Sequence, residues 1–187
     1  MTESNVHQPF DGEQCSTMFV LTETEQSQLD EHRKQPVEHV QGCVFCQMAN
    51  AERDSGGNEF LYSDDHFFVV SDRSPHAPQH FLIMPKRHVH AANRLTADDV
   101  PLVKQMSNVA QRFFFGRFEQ ENSRKMADTE KAELRFGFHW PPLISVQHLH
   151  MHILFPISQM SWLFRTAVFR VGHFFRTVKS IAGDHAR

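Results

Sequence analysis

Three histidines in the last third of the chain, His148, His150 and His152, alternate with apolar residues. Alternate residues of a β-strand share a face, so this spacing predicts three imidazoles on one side of a strand, roughly 7 Å apart. A neutral imidazole is a good nucleophile at pH 7, and its attack on an α-phosphorus gives an N-phosphoryl bond that water can break. The run therefore predicts phosphoryl chemistry, and its central position makes His150 the expected nucleophile.

A chance cluster is the simplest alternative, because the chain holds 14 histidines in 187 residues and a histidine-rich tract can bind metal loosely. Two observations favour the functional interpretation. Leu149, Met151 and Ile153 are strictly interleaved with the histidines, as expected of a half-buried strand. In addition, the turn-prone residues 139–142 precede the run.

The pattern His-φ-His-φ-His-φ-φ, where φ is an apolar residue, resembles the signature of the histidine triad superfamily. The resemblance spans about residues 43–157. Its upstream part is carried by three segments: residues 43–46 at the family's opening, 70–75 at its ribose-binding strand end, and 79–88 at its central strand and turn. Residues 136–142, together with the helix expected after the triad, are most like the HINT3 branch of the family.

This resemblance implies a role for each polar residue of the candidate catalytic site. The family uses the middle histidine as nucleophile, which assigns a covalent histidine–AMP intermediate to His150. It places a phosphate contact at His152, a serine near the leaving group at Ser145 and a further histidine beside the site at His80. His148, the first histidine of the triad, completes the expected catalytic set.

The expected nucleotide-binding residues lie upstream of the triad. Asp72 matches the family's acidic residue that accepts hydrogen bonds from the ribose hydroxyls, which favours a ribonucleotide. Taken alone, the same residue would be a turn cap before Ser74 and Pro75. The base pocket is expected to be apolar, from residues that could equally be ordinary core: Val44, Phe45, Met48 and Val70.

The third histidine separates branches of the family, because the nucleotidyltransferase branch carries glutamine at that place. His152 therefore favours hydrolysis over transfer. The leading hypothesis is a hydrolase that binds a purine nucleotide and cleaves P–N and acyl-phosphate bonds. It would release AMP from adenosine 5′-monophosphoramidates and acyl-adenylates, with no cofactor required for the reaction step.

Three alternatives stay open beside this hypothesis. An aprataxin-like hydrolase of adenylated DNA ends would need a basic surface, often with a zinc finger after the triad, but no cysteine follows Cys46. A non-catalytic regulator would bind nucleotide without turnover. A dinucleoside polyphosphate hydrolase would use the same chemistry on another substrate.

A Cys-x-x-Cys pair, Cys43 and Cys46, indicates a second candidate site. Alone it could be redox-active or incidental, and four-coordinate zinc needs two more ligands. Several family members with this opening hold zinc with the histidine after the Pro-Lys turn and the first triad histidine, which correspond to His88 and His148. His90 is a rival ligand. Such a zinc would be structural, and His148 would then be a ligand instead of a substrate contact.

Composition limits the other classes of function. The net charge of −3 and pI of about 6.5 give no basic field that would draw the protein onto nucleic acid. Three cysteines, an odd number that includes a Cys-x-x-Cys pair, favour a reducing compartment, so we expect the cytoplasm, the nucleus or both. The N-terminus does not read as a signal peptide, and no stretch is long and apolar enough to span a bilayer.

The sequence divides into three parts. Residues 1–40 are polar and acidic and are expected to be a disordered tail, apart from an apolar stretch at 18–21 and a short helix at 24–34. Residues 41–158 are the expected histidine triad domain. Residues 159–187 form an extension with an amphipathic helix over 161–181, which would pack on the core or on a second subunit, or else lie on a membrane or partner.

Within the central part the pattern predicts an α+β fold. About five antiparallel strands, at 60–63, 67–72, 80–84, 134–138 and 146–155, would form the sheet, with a long helix over 97–121 packed on it. This order matches the histidine triad fold. Because members of that family are commonly dimers, the resemblance also implies a homodimer.

Overall fold

The computed structural model describes residues 18–34 and 39–185, and it confirms the α+β prediction. Six antiparallel strands form one sheet in the order β1-β2-β3-β5-β4-β6. The strands are β1 (Tyr62–Ser63), β2 (Phe67–Ser71), β3 (Gln79–Pro85), β4 (Arg135–His139), β5 (Met151–Phe155) and β6 (Phe175–Arg176). The helices are α1 (Glu23–Lys34), α2 (Val44–Ala51), α3 (Val100–Asn122), α4 (Asp128–Lys131) and α5 (Val178–His185).

Strict alternation along the central strands buries both faces of the sheet. Phe81 and Ile83 of β3 face the long helix α3 in the main core, whereas Leu82 and Met84 face α2 in a second cluster. Strand β2 divides its residues between the same two clusters. Leu82 also lines the cavity of the candidate site, so that site lies on the α2 side of the sheet.

The histidine run differs from the predicted strand at its start. The apolar residues Leu149, Met151 and Ile153 are fully buried in the main core, as their interleaving predicts. Strand β5, however, begins only at Met151, so His148 and His150 lie in the segment before it and His152 alone lies in the strand. The prediction of three imidazoles on one face of a strand is therefore wrong, because only His152 belongs to the strand.

The expected disordered tail is only partly described. Residues 1–17 and 35–38 lie outside the described residues. The segment between them contains α1, whose Leu29 is 2% exposed in the main core, and a Lys104–Glu25 ion pair joins α1 to α3. The short helix expected at 24–34 is therefore present as α1, and one buried leucine and long-range polar contacts hold it in place although its apolar content is low.

The predicted single helix over 161–181 is also wrong. The segment forms a π-helical turn at Phe164–Val168, then β6 and then α5. Gly172 interrupts any helix because its φ is 145°. Leu163 and Val171 of the expected apolar stripe are exposed, whereas Phe169 and Phe175 are buried against the site. Tertiary packing of two phenylalanines thus overrides the helical periodicity.

None of the helices formed by residues 18–34 and 39–185 combines the length and the apolar character needed to cross a bilayer.

Gly137 of β4 lies against Phe175 and Arg176 of β6. A Cβ at this position would collide with the Phe175 ring and lie 2.7 Å from the carbonyl oxygen of Arg176. We expect Gly137→Ala to lower the free energy of unfolding by about 1–3 kcal/mol, the usual cost of overpacking, measured by urea denaturation. Gly116→Ala is the matched control, since a Cβ there meets nothing within 4 Å. A Gly137→Ala protein as stable as the wild type would contradict this packing.

Candidate active site and metal centre

A cavity of about 460 Å³ lies on the α2 side of the sheet. Its volume is in the range of small-molecule sites. One wall is apolar and includes all four residues expected to hold the base: Val44, Phe45, Met48 and Val70. The other wall carries five imidazoles: His76, His80, His139, His150 and His152.

His150 has a fixed protonation pattern. Its Nδ1 lies 2.7 Å from the carbonyl oxygen of His148. A carbonyl only accepts, so Nδ1 carries the proton and Nε2 keeps the lone pair. Burial lowers the pKa of His150 below its usual 6.5, so the ring is neutral at pH 7. Nε2 is therefore an unprotonated nitrogen available for attack.

His80 and His152 form a hydrogen-bonded pair in the floor of the cavity. The His80 Nε2 lies 2.8 Å from the His152 Nδ1 and 3.3 Å from the Asp72 Oδ2. Burial lowers the pKa of His80 to about 3 and that of His152 well below 6.5. Both rings are thus neutral at pH 7 and each carries a single ring proton.

Asp72 caps a turn and also lines the cavity. Its Oδ1 accepts a hydrogen bond from the Ser74 backbone N–H at 2.7 Å, which caps the turn. Its Oδ2 faces His80, and the residue lines the cavity. Burial raises the pKa of this carboxyl. The carboxylate is positioned to accept from a ligand hydroxyl as well.

Ser145 and His148 occupy different places. Ser145 is exposed at the cavity and lines it, where a leaving group would enter or depart. His148 is fully buried and is absent from the cavity lining, within the described part of the chain. Its ring lies beside Cys43 and Cys46 instead. Of the five expected catalytic residues, four line the cavity and His148 does not.

Sequence reasoning missed several side chains of the cavity, among them His76, His139 and Phe169. His139 ends β4, its ring centroid lies 4.4 Å from that of His152, and its Nδ1 is buried without a hydrogen-bond partner among the described residues. Burial lowers the pKa of His139 to about 4. The turn-prone residues 139–142 drew attention to this region in the sequence, but they did not indicate that the His139 ring lines the cavity. Phe169 comes from the extension, and no local pattern could bring it to the cavity.

The second site brings together all four expected zinc ligands. The ligand atoms of Cys43, Cys46, His88 and His148 lie within 4.8 Å of one another. The Cys43 Sγ and Cys46 Sγ lie 3.4 and 3.6 Å from the His148 Nδ1, and the Cys46 Sγ lies 3.4 Å from the His88 Nδ1. A tetrahedral zinc separates its sulfur and nitrogen ligands by roughly 3.5 Å, so these distances fit zinc.

The tautomer of His148 fits as well. Its Nε2 lies 2.9 Å from the Pro85 carbonyl oxygen and must donate to it, which leaves the lone pair on the Nδ1 that faces the thiols. Burial lowers the pKa of His148 to about 4 and raises that of the Cys46 thiol. His90, the rival ligand, contacts the His88 ring edge but is outside the four-residue group.

Comparisons with known proteins show which family the chain belongs to. The family model described as "Scavenger mRNA decapping enzyme C-term binding" matches residues 42–167. Adenosine 5′-monophosphoramidase HINT3 of Xenopus tropicalis is 36% identical over 132 residues, which cover 71% of this chain and 78% of that protein. Aprataxin of Danio rerio is 29% identical over 94 residues, which cover 50% of this chain and 26% of aprataxin.

A solved structure, that of a histidine triad protein from Clostridium difficile, has a TM-score of 0.50 and 25% identity. The match covers 63% of this chain and 92% of that one. With the family model spanning most of the chain, the protein belongs to the histidine triad family and resembles its HINT3 branch.

Proposed function

We propose that the protein hydrolyses the P–N bond of adenosine 5′-monophosphoramidates, and the acyl-phosphate bond of acyl-adenylates, through a covalent histidine–AMP intermediate. It is a hydrolase, as its HINT3 relative is named. The observation that carries the proposal is His150, which lines a cavity of about 460 Å³ and whose Nε2 is left unprotonated because its Nδ1 donates to the His148 carbonyl.

In the first half-reaction the Nε2 lone pair of His150 forms a bond to the α-phosphorus while the P–N bond breaks. The leaving nitrogen takes the electron pair of the broken bond and a proton from solvent, which the Ser145 hydroxyl at the cavity can relay. The His150 ring gains positive charge, and the His148 carbonyl stabilises it through the Nδ1–H. Charge on the phosphoryl oxygens is met by the buried N–H of His152.

In the second half-reaction a water molecule attacks the same phosphorus and returns one proton to solvent, which balances the proton taken up by the leaving nitrogen. The P–Nε2 bond breaks, its electron pair returns to His150, and AMP leaves. Asp72 would hold the ribose, and the wall of Phe45, Met48 and Val70 would take the base. No step requires a metal ion, so a zinc at the cysteine site would have a structural role.

The direct test is AMP release from adenosine 5′-phosphoramidate. We expect multiple turnovers by the wild-type protein. A folded protein that binds AMP but produces no AMP from adenosine 5′-phosphoramidate would overturn the proposal. Adenylated DNA ends would then be assayed, because the aprataxin similarity, although it covers half of this chain, makes them the next substrate class.

The pH dependence of the reaction follows from the burial of His150. Its pKa in the folded protein is below 6.5, and only the neutral ring is a nucleophile. We therefore expect kcat/KM to stay level from about pH 8 down to 6.5, the ordinary histidine value, and to fall at lower pH as the ring gains a proton. A pH–rate profile checks this, with circular dichroism as the control for folding. Half-maximal activity above pH 6.5 would contradict it.

The homodimer and the cytoplasmic or nuclear location stay predictions. Analytical ultracentrifugation tests the first and imaging of the tagged full chain tests the second.

A further inference from the structure

We propose that the C-terminal segment, residues 161–176, positions part of the catalytic site through Phe164 and its anchor Phe169. By holding His76 in place it keeps His152 in the tautomer that donates to the phosphoryl group. This role rests on the proposed function, and it follows from three contacts that link the segment to His152.

The first contact fixes the proton of His80. The backbone N–H of His76 donates to the His80 Nδ1 at 3.1 Å. A neutral imidazole has one N–H, so a nitrogen that accepts must leave the proton on the other. His80 is therefore the Nε2–H tautomer, and that N–H faces the His152 Nδ1 at 2.8 Å.

The second contact, between His80 and His152, fixes the ring nitrogen of His152 that carries the proton. Its Nδ1 accepts from His80, so its proton is on Nε2. This Nε2 is buried and has no hydrogen-bond partner among the described residues. The opposite tautomer would place two donors 2.8 Å apart and would turn a lone pair toward the phosphoryl oxygens. Catalysis needs a donor at this point, so the tautomer matters.

The third contact holds His76 itself. Its ring stacks on Phe164 of the C-terminal segment, with centroids 3.8 Å apart and planes 25° apart. Around it, Ser74, Pro75 and Pro78 of the same loop are exposed. The His76 ring also lies 5.5 Å from the Phe169 ring, and Ala77 is buried in the same cluster, so the extension supports this loop through both phenylalanines.

The segment is in turn anchored to the sheet. The Phe169 carbonyl accepts from the Arg135 guanidinium at 2.7 Å, and the Phe169 N–H donates to the Phe164 carbonyl at 2.8 Å. The Phe169 ring also packs edge-on against His80 and His152, with centroids 5.6 and 5.5 Å away. Phe169 therefore both anchors the segment to the sheet and contacts the two histidines.

The experiment combines Phe164→Ala with long-range ¹H–¹⁵N correlation spectra, which distinguish the tautomers of each histidine. In the wild type we expect Nε2–H for His80 and His152. In Phe164→Ala we expect mixed tautomers at these two residues, with His150 unchanged at Nδ1–H. We expect kcat for the phosphoramidate to fall about tenfold, the lower end of the cost of losing an orienting partner, and KM to change less. Phe164→Tyr keeps the ring and should restore most of the loss.

Trp162→Ala is the matched control, because Trp162 is 71% exposed in the same segment. His76→Pro removes the backbone donor itself and should give the same mixed tautomers, which provides a second variant if Phe164→Ala does not fold. Wild-type His152 as Nδ1–H, or folded Phe164→Ala with unchanged tautomers and kcat, would overturn the inference. Expected tautomers without any phosphoramidate turnover would overturn the proposed function instead, since the spectra need no substrate.

Discussion

Replacing His150 with alanine is expected to abolish AMP release while nucleotide binding survives. The variant removes the Nε2 nucleophile, and loss of a nucleophile in a covalent mechanism typically costs about 10⁴-fold or more in kcat. The apolar wall and Asp72 stay in place, so the Kd for AMP should change by less than about tenfold. Single-turnover release of AMP and calorimetric titration measure the two quantities.

Two further variants make this result specific. His150→Asn keeps a side-chain N–H for the His148 carbonyl and should be equally inactive, which separates the nucleophile from the hydrogen bond. His173→Ala is the control, because His173 is exposed and lies outside the cavity lining. Wild-type protein mixed with substrate and quenched in base should carry an adenylate that His150→Ala lacks. Turnover by His150→Ala within tenfold of wild type would rule out the covalent route.

Local patterns predicted the features of the site that depend on sequence neighbours. The two-residue period placed Leu149, Met151 and Ile153 in the core and thereby aimed the histidines away from it. Periodicity does not say where ladder hydrogen bonds begin, so it missed that β5 starts at Met151. His148 and His150 precede the strand and can therefore face different sites, one toward the cysteines and one toward the cavity.

The remaining features depend on contacts between residues far apart in the chain. Phe175 has helical spacing with Val171 and Val178, whereas Phe169 does not belong to that stripe. Yet Phe169 packs on His139 and Phe175 packs on His152. Residues 161–181 contain no signal that the edge of β4 is open for pairing with β6. The sequence pattern therefore favoured a single helix. Burial of Leu29 against α3 is missed for the same reason, because a single leucine in a polar segment carries no periodic signal.

Removing the metal is expected to have the second largest effect, on stability and on the nucleophile together. The protein should purify from zinc-supplemented medium with one zinc per chain by elemental analysis. Cys46→Ser, or removal of the metal with a chelator, should lower the free energy of unfolding by about 3 kcal/mol or more, since structural zinc binding is coupled to folding. Such a loss corresponds to roughly 6–12 °C in Tm for a chain of this size.

This site should matter for catalysis although no step passes through it. The four ligands join the start of α2, the turn after β3 and the segment before β5, and His148 is one of them. The carbonyl of that same residue fixes the His150 tautomer, so freeing the His148 ring should lower kcat as well as Tm. His90→Ala is the control, because His90 lies beside His88 but outside the four-residue group. Metal-free wild-type protein, together with Cys46→Ser of unchanged Tm and kcat, would show that the two cysteines only pack.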